Sequence, residues 1–433
     1  MPLSSQHIPP AVLRVVSRLR ERGHQAYLVG GCVRDLLLDR IPKDFDVATS
    51  AVPDQVVDSF RKVIPTGIQH GTVTVLAEGT PVEVTTFRSE GVYRDGRRPS
   101  EVRFETDLTL DLSRRDFTIN AMAYDPVANE LRDPFDGRRD LRDRRVRTVG
   151  HPHERFSEDG LRPLRAVRFA TVLEFEIQSE TAAAIGATLE VFRKVAAERI
   201  REEFNKVLLS PRAAWGVTAL AEVGLLTVFL PEAGAPPSAD LLAALPQGEP
   251  SAALRLATLL ARTAPSREGG DPRLGFPLAD PGAGKAALER LKYPRQTIDE
   301  TCILLEHHLA YQAPSLTDSQ LRRLASRVGL RRVPWIIQLC TAMEKSRSWD
   351  RSLSRVASWS GRLDHLFASP PPLKVEQLAL NGAAAMRILG VGPSPAVGEG
   401  LRFLMDEVLE DPTLNTEAQL EEKLRTWWRS RGP

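Results

Sequence analysis

The run Tyr27-Leu28-Val29-Gly30-Gly31-Cys32-Val33-Arg34-Asp35, followed by Lys43-Asp44-Phe45-Asp46-Val47-Ala48, decides how the rest of the chain is read. A glycine pair opens a helical segment, and about ten residues later a strand carries two carboxylates one residue apart. Side chains i and i+2 of a strand share a face, roughly 6–7 Å apart along the chain. Asp44 and Asp46 are therefore expected to converge while Phe45 and Val47 face the core. Two convergent carboxylates suit hard Mg²⁺, which prefers oxygen ligands and takes substrate phosphates as the rest of its shell. The Gly-Gly turn lets backbone N–H groups approach a triphosphate, with no Cβ in the way and a helix N-terminus behind. A lone Gly-Gly is usually only a turn, and a lone Asp-x-Asp a solvated strand end. Together, in this order and at this distance, they read as metal-dependent nucleotidyl transfer.

A chain of 433 residues exceeds what one core organises, so two to four domains are expected. No apolar run approaches the length of a membrane span, and the N-terminus shows no signal-peptide core. Cys32, Cys302 and Cys340 have no metal-ligand or redox spacing. These features predict a soluble, reduced, cytoplasmic protein with no membrane association. The formal charge of +2 makes any nucleic-acid surface local rather than global.

Up to about residue 135, β-like runs at 26–29, 45–48, 71–76, 82–87 and 102–104 alternate with helical stretches at 11–22 and 54–61. From about residue 157 the pattern is helical, with segments at 158–173, 179–189, 197–209 and 213–222. Pro/Gly-rich breaks at 231–237, 266–284 and 369–372 divide this part. The expected class is α+β, an α/β head followed by an all-helical remainder.

Within the head, Val82–Arg88 alternates cleanly and places Glu83 and Thr85 on one face, where Glu83 can join Asp44 and Asp46 as a third carboxylate. The polar, glycine-punctuated stretch Gly91–Pro99 reads as a mobile loop. Ser113 is placed to cap a helix whose first turn holds Arg114 and Arg115, an arrangement that opposes the macrodipole unless an anion sits there.

A second constellation is Glu158-Asp159-Gly160-Leu161-Arg162-Pro163-Leu164-Arg165-Ala166-Val167-Arg168-Phe169. On one helix, Asp159, Arg162 and Arg165 follow i, i+3 steps along a broad face, with Arg168 drifting round from it. An ordinary surface ion pair is the plain interpretation. The sharper one is that an Asp acceptor beside an Arg donor copies a Watson–Crick edge. Cytosine and adenine each offer an amino donor beside a ring-nitrogen acceptor, whereas uracil and guanine present the reverse order. A fixed Asp/Arg pair thus accepts C and A without a template and leaves U and G with unpaired polar groups.

These motifs resemble the class II tRNA nucleotidyltransferase/poly(A) polymerase family, and within it the bacterial CCA-adding enzymes. The resemblance is carried by Gly30–Asp35 with Asp44–Asp46, by His70–Val73, Glu83–Arg88, Arg114–Ala123 and Glu158–Ala170, and by Glu198–Glu203. It runs through about the first 210 residues and returns at Leu378–Gly382 and Gly392–Gly398. It implies a catalytic head over 1–146, a base-recognising neck over 147–210, a helical body over 211–360 and a tRNA-binding tail over 361–433. It also implies stepwise addition of C, C and A to tRNA 3′ ends from CTP and ATP with Mg²⁺; no protein partner is implied.

Position by position, the resemblance makes Asp44 and Asp46 metal ligands and Glu83 the third catalytic carboxylate. It makes Gly31, Arg34 and Arg115 nucleotide contacts, Asp159 and Arg162 the base readers, and Arg165 and Arg168 further nucleotide-binding arginines. Gly91–Pro99 resembles the element needed for adding the terminal A. Narrower relatives, an A-adding enzyme or a poly(A) polymerase, are the alternatives. The head lacks the Gly-Arg-Arg-Phe-like run that often marks bacterial poly(A) polymerases, with Pro65–His70 in its place. An inactive RNA-binding module is disfavoured by the intact carboxylates. A metal phosphohydrolase is disfavoured because Ala261 and Arg262 replace the His-Asp pair of many relatives, and His307 and His308, adjacent on a helix, point different ways.

Overall fold

The computed structural model describes residues 7–90, 102–234, 238–246, 251–268, 271–347, 355–368 and 370–431. The segment Gly91–Pro99 lies outside the described residues. The chain divides into two compact units, Met1–Pro231 and Glu232–Pro433.

The first unit opens with α1 (Pro10–Glu21), whose proline falls in the first turn, where a missing N–H costs nothing. One stripe of α1 buries Ala11, Val12, Val15, Val16 and Leu19. Then come β1 (Ala26–Val29), α2 (Gly31–Leu37), β2 (Asp46–Thr49), α3 (Pro53–Ser59), β3 (Val63–Gly67), β4 (Thr72–Ala77) and β5 (Thr80–Thr86). β6 (Arg88–Glu90) and β7 (Val102–Phe104) make a separate antiparallel ribbon. After α4 (Leu108–Ser113), β8 (Ala123–Asp125) and β9 (Glu130–Arg132) complete a seven-stranded sheet ordered β3-β4-β5-β2-β1-β8-β9. Only β2 and β5 run parallel within it, in a register that sets Asp46 opposite Glu83. Val29, Ala48, Phe87, Leu112 and Ala123 pack together as a core cluster of this region.

The β-like runs expected from the sequence fall within two residues of β1, β2, β4, β5 and β7. Asp44, however, precedes β2 rather than lying in it, and Phe45 is half-buried instead of facing the core. Ser113 does not cap a helix. It ends α4, whose N-cap is Asp107, accepting from the Thr109 N–H at 2.7 Å. Arg114 and Arg115 therefore follow a helix C-terminus, the end that favours cations.

The rest of the unit is mostly helical: α5 (Gly137–Arg142), α6 (Pro152–Glu158), α7 (Arg162–Leu173), α8 (Ser179–Ala187), α9 (Leu189–Phe192), α10 (Ala197–Leu208), α11 (Ala213–Glu222) and α12 (Leu225–Phe229). The two-residue strands Arg145–Val146 and Glu176–Ile177 pair in parallel among them. The single helix expected over 158–173 is broken. Asp159 is extended at φ −134°, ψ 107°, and α7 begins at Arg162. Pro163 is the cause: it has no N–H for the Asp159 carbonyl, and its ring would clash there in a continuous helix. Asp159 and Arg162 therefore do not share a helical face.

Among the described residues, the second unit is built from helices, with one two-residue ribbon, Ser266–Arg267 against Leu278–Ala279. Ala252–Leu260 packs against Arg295–His307, and the helices Gly382–Leu389, Pro395–Glu410 and Glu417–Ser430 pack on one another. Ala261 is buried, and Arg262 pairs with Asp240 at 2.5 Å. His307 and His308 are both buried, and each Nδ1 is hydrogen-bonded to a nearby backbone carbonyl, those of Ile303 and Leu305. Burial pushes the His307 pKa down. No helix among the described residues is long and apolar enough to cross a membrane.

Candidate active site

The turn after β1 sets the first wall of the site. Gly30 adopts φ +77°, a conformation open to glycine at little cost, and a β-carbon there would stand 2.9 Å from Arg115 Nη1 and 3.7 Å from Asp46 Oδ2. Gly31 starts α2, and Arg34 one turn later donates to Asp35 at 2.9 Å and to Asn120 Oδ1 at 2.8 Å. Asn120 in turn donates to Asp116 at 3.1 Å. Behind Arg114 and Arg115 lies Asp111, paired with them at 2.7 and 3.3 Å. Burial would raise the Asp111 pKa, but the charges of Arg115 and Arg114 outweigh it and hold the group low.

The facing wall comes from α7 and α10. Arg165 donates twice to Asp116, at 2.8 and 2.6 Å, and Arg168 donates to Glu203 at 2.8 Å. Burial alone would raise the Asp116 carboxyl; the Arg165 charge, with hydrogen bonds from Asn120 and Arg165, drives it far below the usual carboxylate range. The Phe169 ring carries the Arg168 guanidinium 3.5 Å from its centroid, with those of Arg34 and Arg165 at 5.2 and 5.4 Å. Asp159 is gripped by Arg199 at 3.1 and 2.8 Å. Arg162 donates to Glu158 at 2.5 Å and to the carbonyls of Arg155 and Arg114, both at 3.0 Å.

These walls enclose one cavity of about 850 Å³. It is lined by Gly31, Arg34, Asp44, Asp46, Arg115, Asp159, Arg162, Arg165 and Arg168, every predicted site residue except Glu83. Eight arginines and Lys206 face four aspartates on its lining, so the space favours a polyanion. Arg115 Nε is buried with no hydrogen-bond partner among the described residues. Glu83 stands beside Asp46 across the β2–β5 pair but keeps much of its surface in water. Loss of water raises the Asp46 pKa and the nearby Asp44 charge adds to this, against the pull of Arg115. Glu83 is raised likewise by desolvation and by Asp46 and Asp44, against Arg88.

Among the described residues no set of three or more His, Cys, Asp or Glu side chains is arranged to hold a metal ion. A protein cage of three carboxylates is thus not preformed. What the cavity offers is a pair, Asp44 and Asp46, on one edge.

Spacing alone missed Asn120, Asp116 and Glu203, which organise the arginines, and Arg199, which grips Asp159. The lining residue Phe169 also escaped it. Asp116 and Asn120 lie within Arg114–Ala123, and Arg199 and Glu203 within Glu198–Glu203, stretches that carry the family resemblance but whose residue spacing gives these four no role. The remaining signal was the surplus of arginines on α7, which had to find buried carboxylates somewhere.

The mixed sheet and its carboxylate pair border a cationic cavity with room for a whole nucleotide. Residues 26–147 match the pattern described as the poly A polymerase head domain, and residues 174–235 match the "probable RNA and SrmB-binding site of polymerase A". The chain is 48% identical over 215 residues to a CCA-adding enzyme of Lactobacillus johnsonii, covering 50% of this chain and 54% of that protein. It is 47% identical over 220 residues to one of Anoxybacillus flavithermus, covering 51% and 55%. The matched region thus spans about half the length of these curated relatives. The crystal structure of a Bacillus stearothermophilus CCA-adding enzyme in complex with CTP superimposes with a TM-score of 0.78 at 31% identity, covering 98% of this chain and 99% of that one. The chain belongs to the tRNA nucleotidyltransferase/poly(A) polymerase family, to which these bacterial CCA-adding enzymes also belong.

Proposed function

We propose that the chain is a template-independent CCA-adding tRNA nucleotidyltransferase, acting in the cytoplasm, which extends tRNA 3′ ends with C, C and A from CTP and ATP and releases pyrophosphate. The observation that carries this reading is the shared cavity: the Asp44/Asp46 edge, the arginine wall and the Asp159/Arg162 pair all open on one space. The relatives named CCA-adding enzymes support the same assignment.

The donor set fits Mg²⁺. Both groups are hard carboxylates, loss of water and the Asp44 charge disfavour the ionised form of Asp46 despite Arg115, a cost that a cation offsets, and a site completed by substrate phosphates needs no third protein ligand. Asp44 and Asp46 would hold the ion, with Glu83 as a neighbouring carboxylate, and it would supply positive charge to the attacking hydroxyl and the triphosphate. The chain's own groups do the rest. Gly31 lets backbone approach the phosphates, and Arg34, Arg115, Arg165 and Arg168 bind and orient the nucleotide. Asp159 accepts the exocyclic amino proton of C or A while Arg162 donates to the adjacent ring nitrogen. The tRNA 3′-hydroxyl attacks the α-phosphorus in line, and pyrophosphate leaves. On this reading 1–146 is the catalytic head, 147–210 the base-reading neck, 211–360 the body without hydrolase function and 361–433 the tRNA-binding tail.

The test is Asp44→Ala and Asp46→Ala. Each should abolish incorporation yet leave tRNA affinity largely intact, because the tRNA is held by dispersed phosphate contacts. Normal turnover by either variant contradicts the assignment.

A further inference from the structure

Helix α10 meets the proposed nucleotide contacts through two side chains one turn apart on one helical face, Arg199 at the cavity lining and Glu203 behind it. Arg199 Nη1 and Nη2 donate to Asp159 Oδ1 and Oδ2 at 3.1 and 2.8 Å, and the Leu161 N–H donates to Oδ1 at 3.0 Å. A carboxylate offers about four acceptor sites, two on each oxygen. Oδ1 of Asp159 is therefore saturated, and Oδ2 keeps one site for an incoming donor. The grip sets which oxygen a base amino group can reach and in which direction.

Glu203 serves a different pair. Buried at 4% exposure, it accepts from Arg168 Nε and Lys206 Nζ, both at 2.8 Å, and lies 3.8 Å from Arg165 Nη1. Burial would raise its pKa, but the Arg168 and Arg165 charges hold it low, so it stays anionic. Two guanidiniums on successive turns of α7 repel each other, and a buried negative charge behind them lets both face the same cavity.

We propose, on the reading of the cavity given above, that α10 positions the nucleotide site with divided roles: Arg199 governs base choice through Asp159, and Glu203 governs nucleotide affinity through Arg165 and Arg168. Both are positioning residues.

The test is steady-state single-nucleotide extension of a tRNA lacking its 3′ end, using the full chain and all four NTPs. Arg199→Ala should lower the preference for CTP over UTP about tenfold, with partial recovery in Arg199→Lys. Glu203→Gln should raise KM for CTP and ATP alike about tenfold, with kcat and base preference within about twofold of wild type and partial recovery in Glu203→Asp. If either first variant fails to fold, as judged by thermal denaturation, its conservative partner decides by the same criteria. Wild-type base preference in the Arg199 variants, or equal loss of preference in the Glu203 variants, overturns the division. Failure of the wild-type chain to extend tRNA at all sinks the functional reading itself, and this inference with it.

Discussion

Arg115 occupies the space that a side chain on Gly30 would need: its Nη1 lies 2.9 Å from where that β-carbon would stand. The guanidinium is the far end of a flexible side chain, so a larger residue displaces it from Asp46 rather than unfolding the turn. Gly30→Ala also forces a non-glycine residue to φ +77°. The expected result is a stability loss of about 1–3 kcal/mol with incorporation reduced at least about tenfold. Denaturant titration and single-turnover extension read the two effects separately. Full activity would remove Arg115 from the site.

How far such relationships could be read in advance depended on whether they were local. β4 and β5 alternate over six or more residues, and β1 and β2 are four-residue runs of mostly buried side chains, so all four were legible. β3 was not, because Pro65 interrupts it and Ile64, Pro65 and Thr66 are exposed at the sheet edge. β8 is three residues long and wholly buried, leaving no alternation to detect. Half of the cavity lining, nine of its eighteen residues, was recognisable as types and spacings. Their partners were not, since Arg165 finds Asp116 49 residues away and Asp159 finds Arg199 40 residues away. The break at Asp159 was legible in principle from Pro163, and helical periodicity concealed it.

Two kinds of carboxylate give the first unit opposite pH responses. Asp46 and Glu83 are raised in the folded state, so their ionised forms cost stability above the ordinary carboxylate range, and the cost disappears when folded and unfolded states are both protonated. Asp46→Asn should therefore raise the Tm at neutral pH, with the gain vanishing below about pH 4. Mg²⁺ should raise the wild-type Tm at neutral pH and have little effect on this variant. Asp111, Asp116 and Glu203 are lowered, so their contribution is present above the ordinary range and is lost as pH falls through their folded values. Calorimetry across pH with and without Mg²⁺ checks both signs; a lower neutral-pH Tm for Asp46→Asn would contradict the first.

Base choice should depend on Asp159 and Arg162 and not on the α7 arginines further along. Removing either reader leaves an unsatisfied edge at a cost of roughly 1–3 kcal/mol, one to two decades of discrimination. Asp159→Ala and Arg162→Ala should raise UTP and GTP use relative to CTP and ATP. Arg165→Ala and Arg168→Ala should weaken nucleotide use with preference unchanged. Wild-type selectivity in Asp159→Ala would reduce the Asp159–Arg199 contact to a structural ion pair.

The most direct measurement offers purified protein three versions of one tRNA, ending before the first C, after CC and after CCA, with each NTP singly and with CTP and ATP together. The predicted result is two additions from CTP on the first, one from ATP on the second, none on the third, and three followed by a stop when both are supplied to the first. Extension of the CC end alone, or untemplated A tails running past the third position, would contradict the account.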